Sequence, residues 1–415
     1  MPENTPRPMP LSGIRVLDLT VMTAGPVCTM LLADLGADVI KVEEAGAGDL
    51  SRNLGTVFLS GESAQFLSQN RNKRSLRLDL KNPAGREALL RMAAQCDVVV
   101  ENFRPGTLDR LGVGYEAIRA VRPDVIFASS SAFGQDGPYA HLPANDPVIQ
   151  ALSGLMAMTG ELGGPPARIG NPYPDFGAAA LLAFGITAAL LHRTRTGEGQ
   201  RVTTSLLEGA VFASIPRDIE TLQTGKAPPR LGTGHPTFVP YQAFQAGDAG
   251  WFFLSCFTEK FWRNLCTALE RPEWRDDSRF ATNPARCTNR EALITLLEAR
   301  FAELPRAEWL ARLGAAQVPA APIQDLHEAL RSDPQLAHAG VLVPFEHPTA
   351  GPIETLASPV RLSAAPPDYR RPPPRLGEHS AEVLAELGFA PAEVRLLQDA
   401  GAVLGLEGDT EHAAA

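Results

Sequence analysis

Short runs of bulky and β-branched residues alternate with helical stretches along the first half of the chain. Gly13-Ile-Arg-Val-Leu-Asp-Leu-Thr20 and Ala37-Asp-Val-Ile-Lys-Val-Glu43 read as two buried strands. Between them, Ala24-Gly-Pro26 suits a turn with Pro at a helix start, Met30 to Leu35 fits a short helix, and Gly36 sits where a cap belongs. Cys96-Asp-Val-Val-Val100 and Asp124-Val-Ile-Phe-Ala-Ser129 predict further strands, and 87–94 and 178–191 have helical composition. This repetition predicts an α/β fold with a doubly wound parallel sheet. The character changes at the Gly/Pro-rich stretch Lys226 to Pro236. Beyond it, Trp251-Phe-Phe-Leu-Ser255 predicts a strand, and 259–270, 290–303 and 306–314 predict helices of a smaller α/β domain. A Pro-rich passage, Ala364 to Pro374, precedes a last helix near 380–387, and the tail after about 405 is expected to fray.

The chain has 415 residues, enough for two domains, with 44% hydrophobic and 20% charged residues. The apolar run from Phe176 to Leu191 is short for a membrane span and reads as a buried helix. Met1-Pro-Glu-Asn-Thr-Pro-Arg-Pro lacks the apolar centre of a signal peptide. Five scattered cysteines without C-x-x-C spacing suit a reducing cytosol and give no metal site. A formal net charge of -9 argues against general nucleic-acid binding, so a polyanionic ligand would need a local basic pocket. The turn Thr20-Val-Met-Thr-Ala-Gly25 lacks the G-x-G-x-x-G of a dinucleotide site.

Three separated motifs carry a family resemblance: the opening strand–turn–helix–strand, Val100-Glu-Asn-Phe-Arg-Pro-Gly106, and Gly377-Glu-His-Ser-Ala-Glu-Val-Leu384. In order and spacing the chain resembles the class III coenzyme A transferases, which include formyl-CoA transferase, carnitine CoA-transferase and the 2-methylacyl-CoA racemases. The resemblance runs from about residue 11 to about 390. It implies a Rossmann-like large domain from both chain ends (11–205 and 330–405), a small domain (226–318), linkers at 206–225 and 319–329, and an interlocked homodimer. It further implies acyl-CoA and a small carboxylic acid as substrates, with no permanently bound cofactor.

For the coenzyme, the resemblance points to Asn72, Lys73 and Arg74 at the adenosine end, and to Asn102, Phe103, Arg104 and Arg110. Phe103 would pack on adenine, and Arg104 and Arg110 would face phosphate. Where formyl-CoA transferase has Gln, Arg and Lys, this chain has Thr23, Glu44 and Ser131, which implies a grip that differs in detail.

The family's nucleophile is a carboxylate, ionised near neutral pH and needing no general base. The position aligned with the attacking Asp is Gly163, in Thr159-Gly-Glu-Leu-Gly-Gly-Pro-Pro166. The role then falls to Glu161, two residues earlier, or to Asp175, just before the long apolar helix. By residue type alone, Glu161 reads equally as a solvent-facing loop residue and Asp175 as a helix cap. Two alternatives stand beside the transferase: an acyl-CoA racemase, against which Asn145 counts because it stands in the place of the racemases' His, and a non-catalytic acyl-CoA-binding paralogue. His235 and Cys28 are lesser candidates, a turn histidine and a buried thiol by type.

Overall fold

The computed structural model describes residues 8–405; the predicted fraying after 405 lies outside them. Two compact units form. One gathers the chain up to Leu155, Ile169–Ile215 and the chain from His338; the other holds Met156–Arg168 and Pro216–Ala337.

The first unit is built on a seven-stranded sheet. Its strands are β1 (Arg15–Asp18), β2 (Asp38–Glu43), β3 (Lys73–Leu78), β4 (Val98–Glu101), β5 (Ile126–Ser131), β6 (Gln200–Ser205) and β7 (Val403–Leu404). Their spatial order is β7-β3-β2-β1-β4-β5-β6, parallel throughout except for the antiparallel edge strand β7. Strand order across the sheet reverses between β1 and β4, and a crevice opens there beyond the strands' carboxyl ends.

The helices of this unit include α1 (Ala24–Asp34), α2 (Pro83–Ala93), α3 (Tyr115–Val121), α4 (Asp146–Leu152) and α5 (Tyr173–Thr196). Alternate residues of each strand serve opposite faces. Leu17, Ile40 and Leu76 pack with α2 and α3 on one side, while Val16, Val39 and Val98 pack with α1 and α5 on the other. Helix α5 is the one helix among the described residues long and apolar enough to span a membrane, but it flanks this sheet, and Ala179, Leu182 and Ile186 are buried in the core.

The Gly377 motif ties the C-terminal segment to β3. Gly377 N–H donates to Ser75 Oγ at 2.8 Å, Arg77 N–H donates to Ser380 Oγ at 3.2 Å, and Arg74 pairs with Glu382 at 2.9 Å and Glu386 at 2.8 Å.

The second unit carries a three-stranded antiparallel sheet (Tyr241–Gln245, Trp251–Ser255, Ala320–Pro322) against helices Glu259–Ala268, Arg290–Phe301 and Arg306–Ala315. Trp262, Phe252, Phe301 and Trp309 fill its core. Residues 206–225, read as a linker from the sequence, carry helices Leu206–Phe212 and Arg217–Thr224, and Ala320–Pro322, in the second expected linker, completes the small sheet.

Candidate active site

Beneath the crevice lies a buried ionic network. Asp18 ends β1; one carboxylate oxygen accepts from Thr20 N–H (2.9 Å) and Thr20 Oγ (2.5 Å), the other from Thr29 Oγ (2.7 Å) and Lys73 Nζ (3.0 Å). Lys41 Nζ donates to the Thr20 carbonyl at 2.8 Å and pairs with Asp49 at 2.7 Å. The side chains of Asp18, Lys41, Asp49 and Lys73 are all 0% exposed, so each charge depends on its partner. Burial pushes the Asp18 carboxyl up, but Lys73 and Lys41 outweigh it and hold it below its usual range. Burial lowers Lys73 to about 8 against the pull of Asp18. The network fixes the loop after β1. Met22 adopts a left-handed φ of 71°, held by its N–H on Asp49 (3.1 Å) and by Gln69, which donates to its carbonyl.

Asn102, at the end of β4, reaches across the switch point. Its Oδ1 accepts from Val21 N–H and its Nδ2 donates to the Val21 carbonyl, both at 2.8 Å. Above this bridge sits a cavity of about 370 Å³ at the ends of β1 to β4. Leu19, Val21, Leu78, Leu80 and Phe103 give it apolar walls, with Glu44, Lys81 and Arg110 among its polar lining residues. Arg104 lines an adjoining polar cavity of about 210 Å³ with Glu101, Ser129 and Arg201. Burial raises the Glu101 carboxyl to about 7, against the opposing pull of Ser129 and the Phe103 N–H.

The predicted coenzyme contacts therefore separate into two sets. Phe103 and Arg110 line the larger cavity, Arg104 the smaller, and Asn102 braces the crevice floor. Asn72, Lys73 and Arg74 do not turn their polar ends to either cavity. Asn72, at φ 63°, bonds Asp34 and the backbone of 368–371; Lys73 sits on Asp18 and Asn70; Arg74 pairs with Asp38, Glu382 and Glu386. The density of basic residues in this run matches buried carboxylates, a signal composition alone does not separate from a ligand site. Leu78, Leu80 and Lys81, just downstream, line the cavity although no motif in the sequence marks them.

The two candidate nucleophiles differ sharply in surroundings. Glu161 is exposed on a loop of the second unit, closed by Gly232 N–H to the Gly160 carbonyl (2.8 Å) and by Arg230 on the carbonyls of Gly164 and Ala157 (both 3.0 Å). Gly163, at φ 71°, occupies the left-handed region, where glycine is favoured. Asp175 lies in the first turn of α5 but does not cap it: the cap position is Pro172, and no side-chain cap bond forms. Its carboxyl is half-buried, and burial, reinforced by Asp146, raises it from 3.8 to about 7. Asp146, from α4, accepts the Asp175 N–H at 3.4 Å. A half-buried carboxyl with so perturbed a proton affinity and no capping bond is the arrangement expected of a reacting group.

The lesser candidates have structural settings. His235 packs on Phe238 and Tyr241, and its Nδ1 accepts Thr237 N–H at 3.2 Å; Cys28 is buried with its thiol pushed up. Among the described residues no cluster of His, Cys, Asp and Glu could hold a metal ion.

A family model described as CoA-transferase family III matches residues 11–380. A Mus musculus protein named succinyl-CoA:glutarate CoA-transferase is 41% identical over 379 residues, covering 91% of this chain and 86% of its own length. An Acetobacter aceti protein named acetyl-CoA:oxalate CoA-transferase is 38% identical over 399 residues, 95% of this chain and 100% of that protein. The crystal structure of a CAIB/BAIF family protein from Brucella suis superposes with a TM-score of 0.84 at 37% identity, over 92% of this chain and 100% of that one.

Proposed function

The chain belongs to CoA-transferase family III and is an enzyme that transfers CoA; from that premise we propose that it moves CoA from an acyl-CoA thioester to a small dicarboxylic acid through a covalent intermediate on Asp175. The observation that carries the choice of residue is the half-buried Asp175 carboxyl, raised to about 7 in the first turn of α5. Glu161, exposed on its loop, lacks such an environment. The acids in the relatives' names, glutarate and oxalate, are both dicarboxylates, which supports the acceptor class.

The Asp175 carboxylate attacks the thioester carbonyl; the C–S bond breaks, CoA leaves as thiolate, and an acyl-aspartyl anhydride remains. The thiolate attacks the aspartyl carbonyl of that anhydride, releasing the donor acid as carboxylate and leaving an aspartyl-CoA thioester. The acceptor carboxylate then displaces the thiolate, which returns to the new acyl group and frees Asp175. No added base is required, and holding both partners makes each exchange effectively intramolecular. The adenosine end of the coenzyme sits in the crevice cavity, Phe103 against adenine, with Arg104 and Arg110 toward phosphate. A second copy of the chain interlocks with the first, as the family resemblance implies, and the exposed apolar residues Phe184 and Leu191 of α5 support its outer face as part of that interface.

The test is acid-dependent exchange of CoA in the purified protein. Asp175→Asn is expected to lose at least about a thousandfold in kcat, while Glu161→Gln stays within about threefold of wild type. Loss in Glu161→Gln with retention in Asp175→Asn would reverse the assignment. Deuterium entering the acyl α-carbon in heavy water, without CoA exchange, would replace transfer by isomerisation.

A further inference from the structure

Helix α4 presents two side chains toward the start of α5 that no part of the transfer scheme uses. Asp146 and Gln150 stand four residues apart, on one face of the helix. Gln150 is fully buried, so both ends of its amide must be matched. Its Oε1 accepts the Ile169 N–H at 2.8 Å, which forces its Nε2 toward Asp146 Oδ1, 2.6 Å away. The other oxygen of Asp146 takes the Asp175 N–H at 3.4 Å. A hydrogen-bonded ring thus runs from Ile169 through Gln150 and Asp146 to Asp175. The backbone it encloses runs from residue 170 to 174; residues 170–173 are exposed and Pro174 is buried.

We propose that Asp146 and Gln150 are positioning residues for Asp175: they pin the segment that carries it and set a second carboxylate beside it. The inference rests on the reading of Asp175 as nucleophile. Both Asp146 oxygens accept hydrogen bonds, one of them from an amide whose orientation the Ile169 N–H dictates, and the group therefore stands as an acceptor beside Asp175. A like charge so close makes the Asp175 carboxylate harder to form and, once formed, more basic and more nucleophilic. The elements packed on α5 carry other charges: Asp34 on α1, Arg201 on β6 and Glu208 on helix Leu206–Phe212. Burial raises the Asp175 carboxyl first, and the charge that adds to it is that of Asp146.

The experiment is the pH profile of kcat for CoA exchange in Asp146→Asn and Gln150→Glu, with KM for acyl-CoA and the melting temperature measured alongside. Asp146→Asn removes the neighbouring charge, so its acid limb is expected about one pH unit lower. Gln150→Glu adds a carboxylate, so its limb should move up, giving two shifts of opposite sign. In both, kcat falls by about tenfold or more while KM for acyl-CoA stays within about threefold. A purely structural pair would lower the melting temperature and leave the limb in place; unmoved limbs in whichever variants fold would overturn the positioning role. Asp175→Asn, run in parallel, separates the two failures. Exchange surviving in it removes the nucleophile and the positioning with it, whereas exchange lost in it, with unmoved limbs in the others, removes the positioning alone.

Discussion

An aspartate that keeps its proton up to about pH 7 makes the folded chain less stable as pH rises from the ordinary 3.8 of its carboxyl toward 7. Between its ordinary 3.8 and about 7, folded Asp175 holds a proton that the unfolded chain has lost. Stability therefore falls as pH rises through that window, and the whole penalty is present above it. Asp175→Asn removes the penalty: at pH 8 it should stabilise the protein by on the order of 2 kcal/mol, after discount for partial exposure, and at pH 4 it should change little. Paired thermal melts at the two pH values check this, and an equal shift at both would contradict it. The same residue shows what a sequence leaves unsaid. An Asp ahead of an apolar helix reads as a cap or as a nucleophile; the placement of Pro172 at the cap removes the first reading, and the second is the one proposed. Lys73 makes the converse point, since a basic run looks like a phosphate site until Asp18 is found beneath it.

Helix α5 connects the site to the outside of the molecule. One face packs on the sheet through Ala179, Leu182 and Ile186, yet Phe184 is 73% exposed and Leu191 53%. Large apolar side chains on one outer helix face mark a surface that water does not favour. Under the proposed dimer a second copy covers them, and Phe184→Asp should then shift the protein from dimer to monomer in sedimentation velocity. A wild-type protein that sediments as a monomer would end that proposal. The helix itself is legible from its Ala- and Leu-rich composition, which predicts it over 178–191. Its true start at Tyr173 is not, because that composition begins only after Pro172-Tyr-Pro174, whose prolines occupy the cap and the first turn, where a missing N–H does no harm.

Across the whole chain, the parallel strands are visible as β-branched runs because a strand buried on both faces has no polar alternation to hide it. The sheet order is not visible. Which strand lies beside which depends on crossovers hundreds of residues apart, such as β7 returning to pair with β3. The crevice cavity is legible at Phe103 and Arg110 through a motif resemblance, but not at Leu78 and Leu80, ordinary strand-end leucines that become cavity walls only when the sheet is assembled. The proposed chemistry depends on one residue, Asp175, which carries the acyl group and then CoA. Peptide mass mapping after the protein is mixed with pooled acyl-CoAs and quenched with hydroxylamine reads that residue out, because hydroxylamine converts an aspartyl anhydride or thioester to a hydroxamate. A hydroxamate on Asp175 is the expected result; a hydroxamate on Glu161 instead, or none on any residue while acyl-CoA binding is intact, would contradict the covalent role of Asp175.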